Sequence, residues 1–103
     1  MTALPTRQTE STQIAEQQLT PPRRYAVLLL NDDYTPMDFV VDVLTEIFHL
    51  PHTRAMAVML LVHQTGKGLC GIYQKDIADT KCQQVLRSAQ EAGYPLMCVV
   101  ELA

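Results

Sequence analysis

The sequence predicts an α+β domain: a two-layer sandwich in the order strand, helix, helix, strand, helix, strand, with three helices packed on a three-stranded antiparallel sheet. Three observations carry that expectation. Short apolar runs of strand length, bounded by turn residues, occur at Tyr25–Leu30, Leu69–Gln74 and Leu96–Glu101. Between them lie three stretches whose apolar residues recur at helical spacing. The chain has 103 residues, 48% of them hydrophobic, which allows one domain with a small core.

Residues 1–24 are rich in Thr, Gln and Ser and end in Pro21-Pro22. Such a composition buries too little apolar surface to offset chain entropy, so a disordered N-terminal extension is expected, with the folded domain over 25–103. Tyr25 to Leu30 is apolar without a break and stops abruptly at Asn31-Asp32-Asp33, as a strand buried on both faces would. Thr35, Pro36 and Asp38 then form a helix-start pattern, with Thr35 as the cap, Pro36 first in the helix and Asp38 completing a capping box. Val40, Val43, Leu44 and Ile47 follow on one face, and Leu50-Pro51 is expected to end the helix.

A second helix is predicted over Thr53–Gln64, where Ala55, Met59, Val62 and His63 share a face. Gly66 and Gly68 break it before the second strand. The third helix spans Lys75–Ala92, with Ile77, Ala78, Cys82, Val85, Leu86 and Ala89 as its buried stripe, and Gly93 with Pro95 stops it.

Net charge is -3, from 8 basic and 11 acidic residues, which argues against wrapping a nucleic-acid backbone. No apolar run approaches the roughly 18 residues that cross a bilayer, and no apolar leader segment opens the chain, so a cytoplasmic protein is expected. The charge is uneven: +1 over residues 1–24 and -4 over the remainder, where Asp32, Asp33, Asp38, Asp42 and Glu46 fall together without a Lys or Arg. Cys70, Cys82 and Cys98 match no zinc spacing and sit in apolar stretches, as buried hydrophobes would.

Asn31-Asp32-Asp33 has two compatible readings. Asn and Asp close turns by bonding their own backbone. They also gather acceptors and negative charge, which an ammonium group with three donors and no acceptor requires. His63 is either a surface or core histidine or a ligand. A zinc site from His49 and His52 is disfavoured because Pro51 separates them at a helix end. Met37, Met56, Met59 and Met97 suit either core or an adaptable pocket wall. Met37, directly after the acidic loop, pairs a flexible apolar side chain with an acceptor cluster. That pairing suits a ligand with an amine at one end and a large hydrophobe at the other. Gly66-Lys67-Gly68 lacks the remainder of a phosphate-binding loop and reads as a turn. No nucleophile motif is present, so an enzyme, such as a hydrolase built on His63 and Asp33, is a distant reading.

The segment Tyr25-Ala-Val-Leu-Leu-Leu-Asn-Asp-Asp-Tyr-Thr-Pro-Met-Asp-Phe-Val-Val resembles the signature of the ClpS family, adaptors of the bacterial ClpA–ClpP protease. The likeness continues in order through Met59-Leu-Leu-Val-His63, Gly66-Lys67, Cys70-Gly71, Ala78-Asp-Thr-Lys81 and Pro95-Leu96, covering nearly all of residues 22–103. It implies a non-enzymatic, monomeric adaptor that needs no cofactor or metal. Such an adaptor would bind substrates whose first residue is Phe, Tyr, Trp or Leu and hand them to the unfoldase ClpA. By the same resemblance, Asn31, Asp32, Asp33 and His63 would surround the substrate's α-amino group. Leu30, Thr35, Met37, Val40, Met59, Val62 and Leu96 would line the side-chain pocket, with Met37 as a gate against β-branched residues. Asp76 and Lys81 would face the N-terminal domain of ClpA, and the extension would engage the unfoldase during hand-off. Family members often carry Glu where this chain has Asp76 and Asp79, which keeps the charge on a shorter stem. The alternative is a non-catalytic interaction module resembling the C-terminal domain of a ribosomal stalk protein.

Overall fold

The computed structural model describes residues 21–103. The predicted N-terminal extension therefore lies outside the described residues up to position 20; residues 21–24 are exposed and irregular. The most continuously apolar run, Tyr25–Leu30, forms β1 and takes the centre of an antiparallel sheet, between β2 (Lys67–Tyr73) and β3 (Met97–Leu102). Helices α1 (Met37–Glu46), α2 (His52–Thr65) and α3 (Lys75–Ala92) complete the predicted α+β order.

Val27 and Leu29 are fully buried and join a core with Val43 and Leu44 of α1, Ala55 of α2 and Val85 of α3. Leu28 does not join that cluster. It is 9% exposed, flanked across the sheet by Leu69 and Val99. The expectation of a strand embedded in the core on both faces thus holds only in part. In β2, Val27 faces Gly71 while Leu28 faces Leu69, so Cys70 is the extra residue of a bulge.

The two ends of α1 differ from the sequence expectation for identifiable reasons. Pro36, with φ -62° and ψ 145°, is the N-cap, one residue after Thr35. Thr35 is held back because its amide and hydroxyl both bond Asp32. The capping box is not made: Asp38 Oδ1 instead accepts from the Phe39 amide at 2.9 Å. At the other end α1 stops at Glu46, before the Leu50-Pro51 step is reached. His49 adopts a left-handed φ of 57°, and the Leu50 amide turns back to the Leu44 carbonyl at 3.1 Å. Lys81, from α3, donates its ammonium to the Ile47 carbonyl at 2.6 Å, placing a cation at the negative end of α1.

Helix α2 buries Ala55, Val58, Met59 and Val62 and ends at Gly66, whose φ of 93° glycine adopts without strain. α3 runs as predicted from Lys75 to Ala92 and buries Ala78, Cys82, Val85 and Ala89. Ile77, expected in that stripe, is 44% exposed, because the stripe is centred one position further round the helix.

The three cysteines are free and buried, one each on β2, α3 and β3. Burial pushes the Cys70 thiol up to about 12 and raises Cys98 as well, with Cys82 and Cys70 beside Cys98 adding to the rise. Cys82 Sγ donates to the Cys98 carbonyl at 3.1 Å. Among the described residues every buried side chain is apolar, and no helix is long and apolar enough to cross a membrane.

β2 passes so close under α2 that a Cβ at Gly68 would stand 2.7 Å from Val62 Cγ2 and 3.3 Å from Val58 Cγ1. Val62 is short, branched and 3% exposed, so it has little room to yield. Gly68→Ala should therefore lower stability by about 1–3 kcal/mol. Denaturant unfolding measures this, and an unchanged midpoint would show that α2 can lift off β2 freely.

Candidate functional site

The loop from Asn31 to Pro36 joins β1 to α1 and forms one side of a cleft whose other side is α2. The Asn31 amide donates to the Gly66 carbonyl at 2.9 Å, which fastens the start of the loop to the C-cap of α2. Asp32 then closes the loop on itself. Its Oδ1 accepts from the Tyr34 amide at 2.8 Å and the Thr35 amide at 2.7 Å, and its Oδ2 accepts from the Thr35 hydroxyl at 2.8 Å. This is the Asx-type turn chemistry that Asp favours. Burial alone would push the Asp32 carboxyl up. The Thr35 and Tyr34 amides and the Thr35 hydroxyl outweigh that effect and hold it below its ordinary value of 3.8.

Asp33, the next residue, is exposed, and its carboxylate accepts no hydrogen bond from the described residues. His63, in the last turn of α2, is likewise exposed, with no ring-nitrogen partner among them. Asn31, Asp32, Asp33 and His63 all line one cleft of about 360 Å³, the lower end of the range for small-ligand pockets. Val40, Met59 and Val62, which are 6%, 5% and 3% exposed, supply its apolar floor. Met37, 46% exposed, stands at the rim with Thr35.

Two residues expected in the pocket stand outside that lining. Leu30 ends β1, paired with Lys67 and Met97, and Leu96 is buried in the core at 3% exposure. Two others enter it without having been singled out, Tyr34 and Pro36. Their signal was position: both lie between the acceptor triplet and Met37, so a loop wrapping a ligand must include them.

The cleft offers acceptors at one end and an apolar floor at the other. Its hydroxyl on Thr35 donates to Asp32, and its lining holds no Ser, Cys or Lys. Among the described residues no group of three His, Cys, Asp or Glu side chains gathers so as to hold a metal ion. His49 lies in the turn after α1 and His52 opens α2.

A second hollow, about 230 Å³, brings Asp76 and Lys81 together with Ile77, Thr80 and Gln84 on α3. Asp76 is exposed, and its Oδ1 accepts from the Ile77 amide at 2.9 Å. The Lys81 ammonium is engaged within the chain, on Ile47 and 5.8 Å from the centre of the Tyr73 ring.

Residues 20–99 match the family model for the ATP-dependent Clp protease adaptor protein ClpS. The chain is 64% identical over 81 residues to the ATP-dependent Clp protease adapter protein ClpS of Neisseria meningitidis serogroup B, covering 79% of this chain and 81% of that one. It is 58% identical over 86 residues to the ClpS of Herminiimonas arsenicoxydans, covering 84% of each. The solved structure of Agrobacterium tumefaciens ClpS2 bound to L-phenylalaninamide superposes with a TM-score of 0.77 at 39% identity, covering 80% of this chain and 99% of that one.

The lowered Asp32 pKa makes the loop's pH response testable. A carboxylate depressed on folding contributes stability that is fully present above its unfolded pKa and lost as pH falls through the lower, folded value. In an acid titration followed by the amide chemical shifts of Tyr34 and Thr35, the loop should hold down to 3.8 and open only below it. A midpoint above 3.8 would show that the three bonds do not hold the carboxylate.

Proposed function

The chain belongs to the ClpS family of ATP-dependent Clp protease adaptor proteins, and on that premise we propose that it binds proteins whose first residue is Phe, Tyr, Trp or Leu and delivers them to the ClpA unfoldase of ClpAP. One observation carries this reading. The carboxylate of Asp33 and the ring of His63, neither with a hydrogen-bond partner among the described residues, share a cleft with a floor of Val40, Met59 and Val62. A free α-amine needs acceptors and negative charge, and a large apolar side chain needs the floor. L-Phenylalaninamide, held by the Agrobacterium relative, carries both groups on one carbon.

The ammonium's three donors are matched by the Asn31 amide oxygen, the Asp33 carboxylate and a His63 ring nitrogen. Asp32 adds charge and holds the loop in shape, since its oxygens already serve three donors. Charge assistance makes the bonds to the amine about twice as strong as neutral ones. Met37 at the rim can yield to a flat ring, whereas branching next to the substrate backbone meets its stem. Asp76 and Lys81 form the unfoldase contact, with the exposed Ile77, Thr80 and Gln84 beside them and the stem of Lys81, not its bound ammonium, turned to the partner. The role in delivery is that of an adaptor, not an enzyme. A stalk-like module that docks through a helix face has no use for an acceptor-lined cleft.

Two experiments test this reading. In calorimetric titration a peptide beginning with Phe should bind and its N-acetylated form should not, and Asp33→Ala should weaken the free-amine peptide by about 1.5–3 kcal/mol. Equal affinity for the two peptides would overturn amine recognition. In a reconstituted ClpAP assay, a folded reporter with N-terminal Phe should be degraded faster when this chain is added. An unchanged rate would overturn the delivery role while leaving the binding role standing.

A further inference from the structure

Tyr34 is 80% exposed, more than any other large apolar residue among those described, yet it lines the cleft. Within the described residues its ring takes part in no aromatic pair or cation–π contact, and its hydroxyl makes no hydrogen bond. Folding therefore gains little from this side chain. Aromatic rings ordinarily bury on the order of 150–250 Å² and dominate the energetics of the surfaces they join. The backbone beneath the ring is nonetheless fixed, because the Tyr34 and Thr35 amides both bond Asp32 Oδ1. A ring presented from a braced loop loses little freedom when something packs against it.

What would pack there follows from the size of the cleft. A cleft of about 360 Å³ is too small to enclose a whole peptide, so a bound chain must leave over the rim after its first residues. With the amine at Asn31, Asp33 and His63 and the first side chain on the floor, the second residue crosses that rim. Thr35 is occupied with Asp32 there, and Met37 faces the first side chain. Of the two lining residues left, Pro36 is half-buried, so Tyr34 offers the larger exposed surface. We propose that Tyr34 is a specificity-determining residue for the second position of the substrate, packing its ring on that side chain and favouring a large apolar one over a small one. This proposal rests on the amine-binding reading above and extends it by one residue.

The test uses the full chain and three ligands: L-phenylalaninamide, which has nothing beyond the first residue, and two tetrapeptides, Phe-Leu-Ala-Ala and Phe-Ala-Ala-Ala. Both peptides carry the same charge, so the acidic loop does not discriminate between them. The unaltered chain should prefer the Leu peptide by roughly three- to tenfold, from partial burial of its extra methylenes. Tyr34→Ala should abolish that preference, weakening the Leu peptide by at least about threefold more than phenylalaninamide or the Ala peptide, and Tyr34→Phe should keep the preference. Persistence of the preference in Tyr34→Ala would overturn the proposal, as would its absence from the unaltered chain. An equal loss for phenylalaninamide and both peptides would also overturn it, by assigning the ring to the first-residue site or to loop folding. Failure of the unaltered chain to bind phenylalaninamide at all would bring down the amine-binding reading itself, and this one with it.

Discussion

The bond from the Asn31 amide to the Gly66 carbonyl, 2.9 Å long, ties the end of the central strand to the end of the second helix. Everything in the cleft is positioned from one side of it or the other. The acceptor loop begins at Asn31, and His63 lies in the turn just before Gly66. Gly66 can present its carbonyl there because its φ of 93° turns the chain back at the helix end. Because backbone groups fix this span, Asp33 and His63 keep their place in the cleft without side-chain partners among the described residues.

Two adjacent carboxylates acquire opposite characters from that frame. Asp32 reaches amides two and three residues ahead and becomes part of the scaffold. Asp33, exposed in the same turn, accepts no hydrogen bond from the described residues. An exposed carboxylate of that kind, beside a buried floor of Val40, Met59 and Val62, adds little to folding.

Much of this was legible in the sequence because hydrophobic period and turn chemistry are local. The third helix runs between its predicted ends, with the glycine stop where expected. The failures share a different origin. Thr35 looked like a cap until Asp32 took its amide and hydroxyl. The first helix ended early on a left-handed His49 and on Lys81, which stands 34 residues from the carbonyl it meets. No local pattern contains that bond. Leu30, which family likeness alone assigns to the pocket, is absent from the cleft lining, and strand alternation sets it on the face opposite the fully buried Leu29. Tyr34 lines the cleft without any sequence signature, because a single exposed aromatic carries no periodic signal.

The buried cysteines have a consequence for the chemical durability of the molecule. A thiol raised by burial, as those of Cys70 and Cys98 are, stays almost wholly protonated near neutral pH. Electrophiles and oxidants, which attack the thiolate, therefore find almost no target while the sheet and the third helix stay together. Reactivity at these positions tracks the opening of the core more than the pH of the medium. A domain this small thus shields Cys70 and Cys98 through packing.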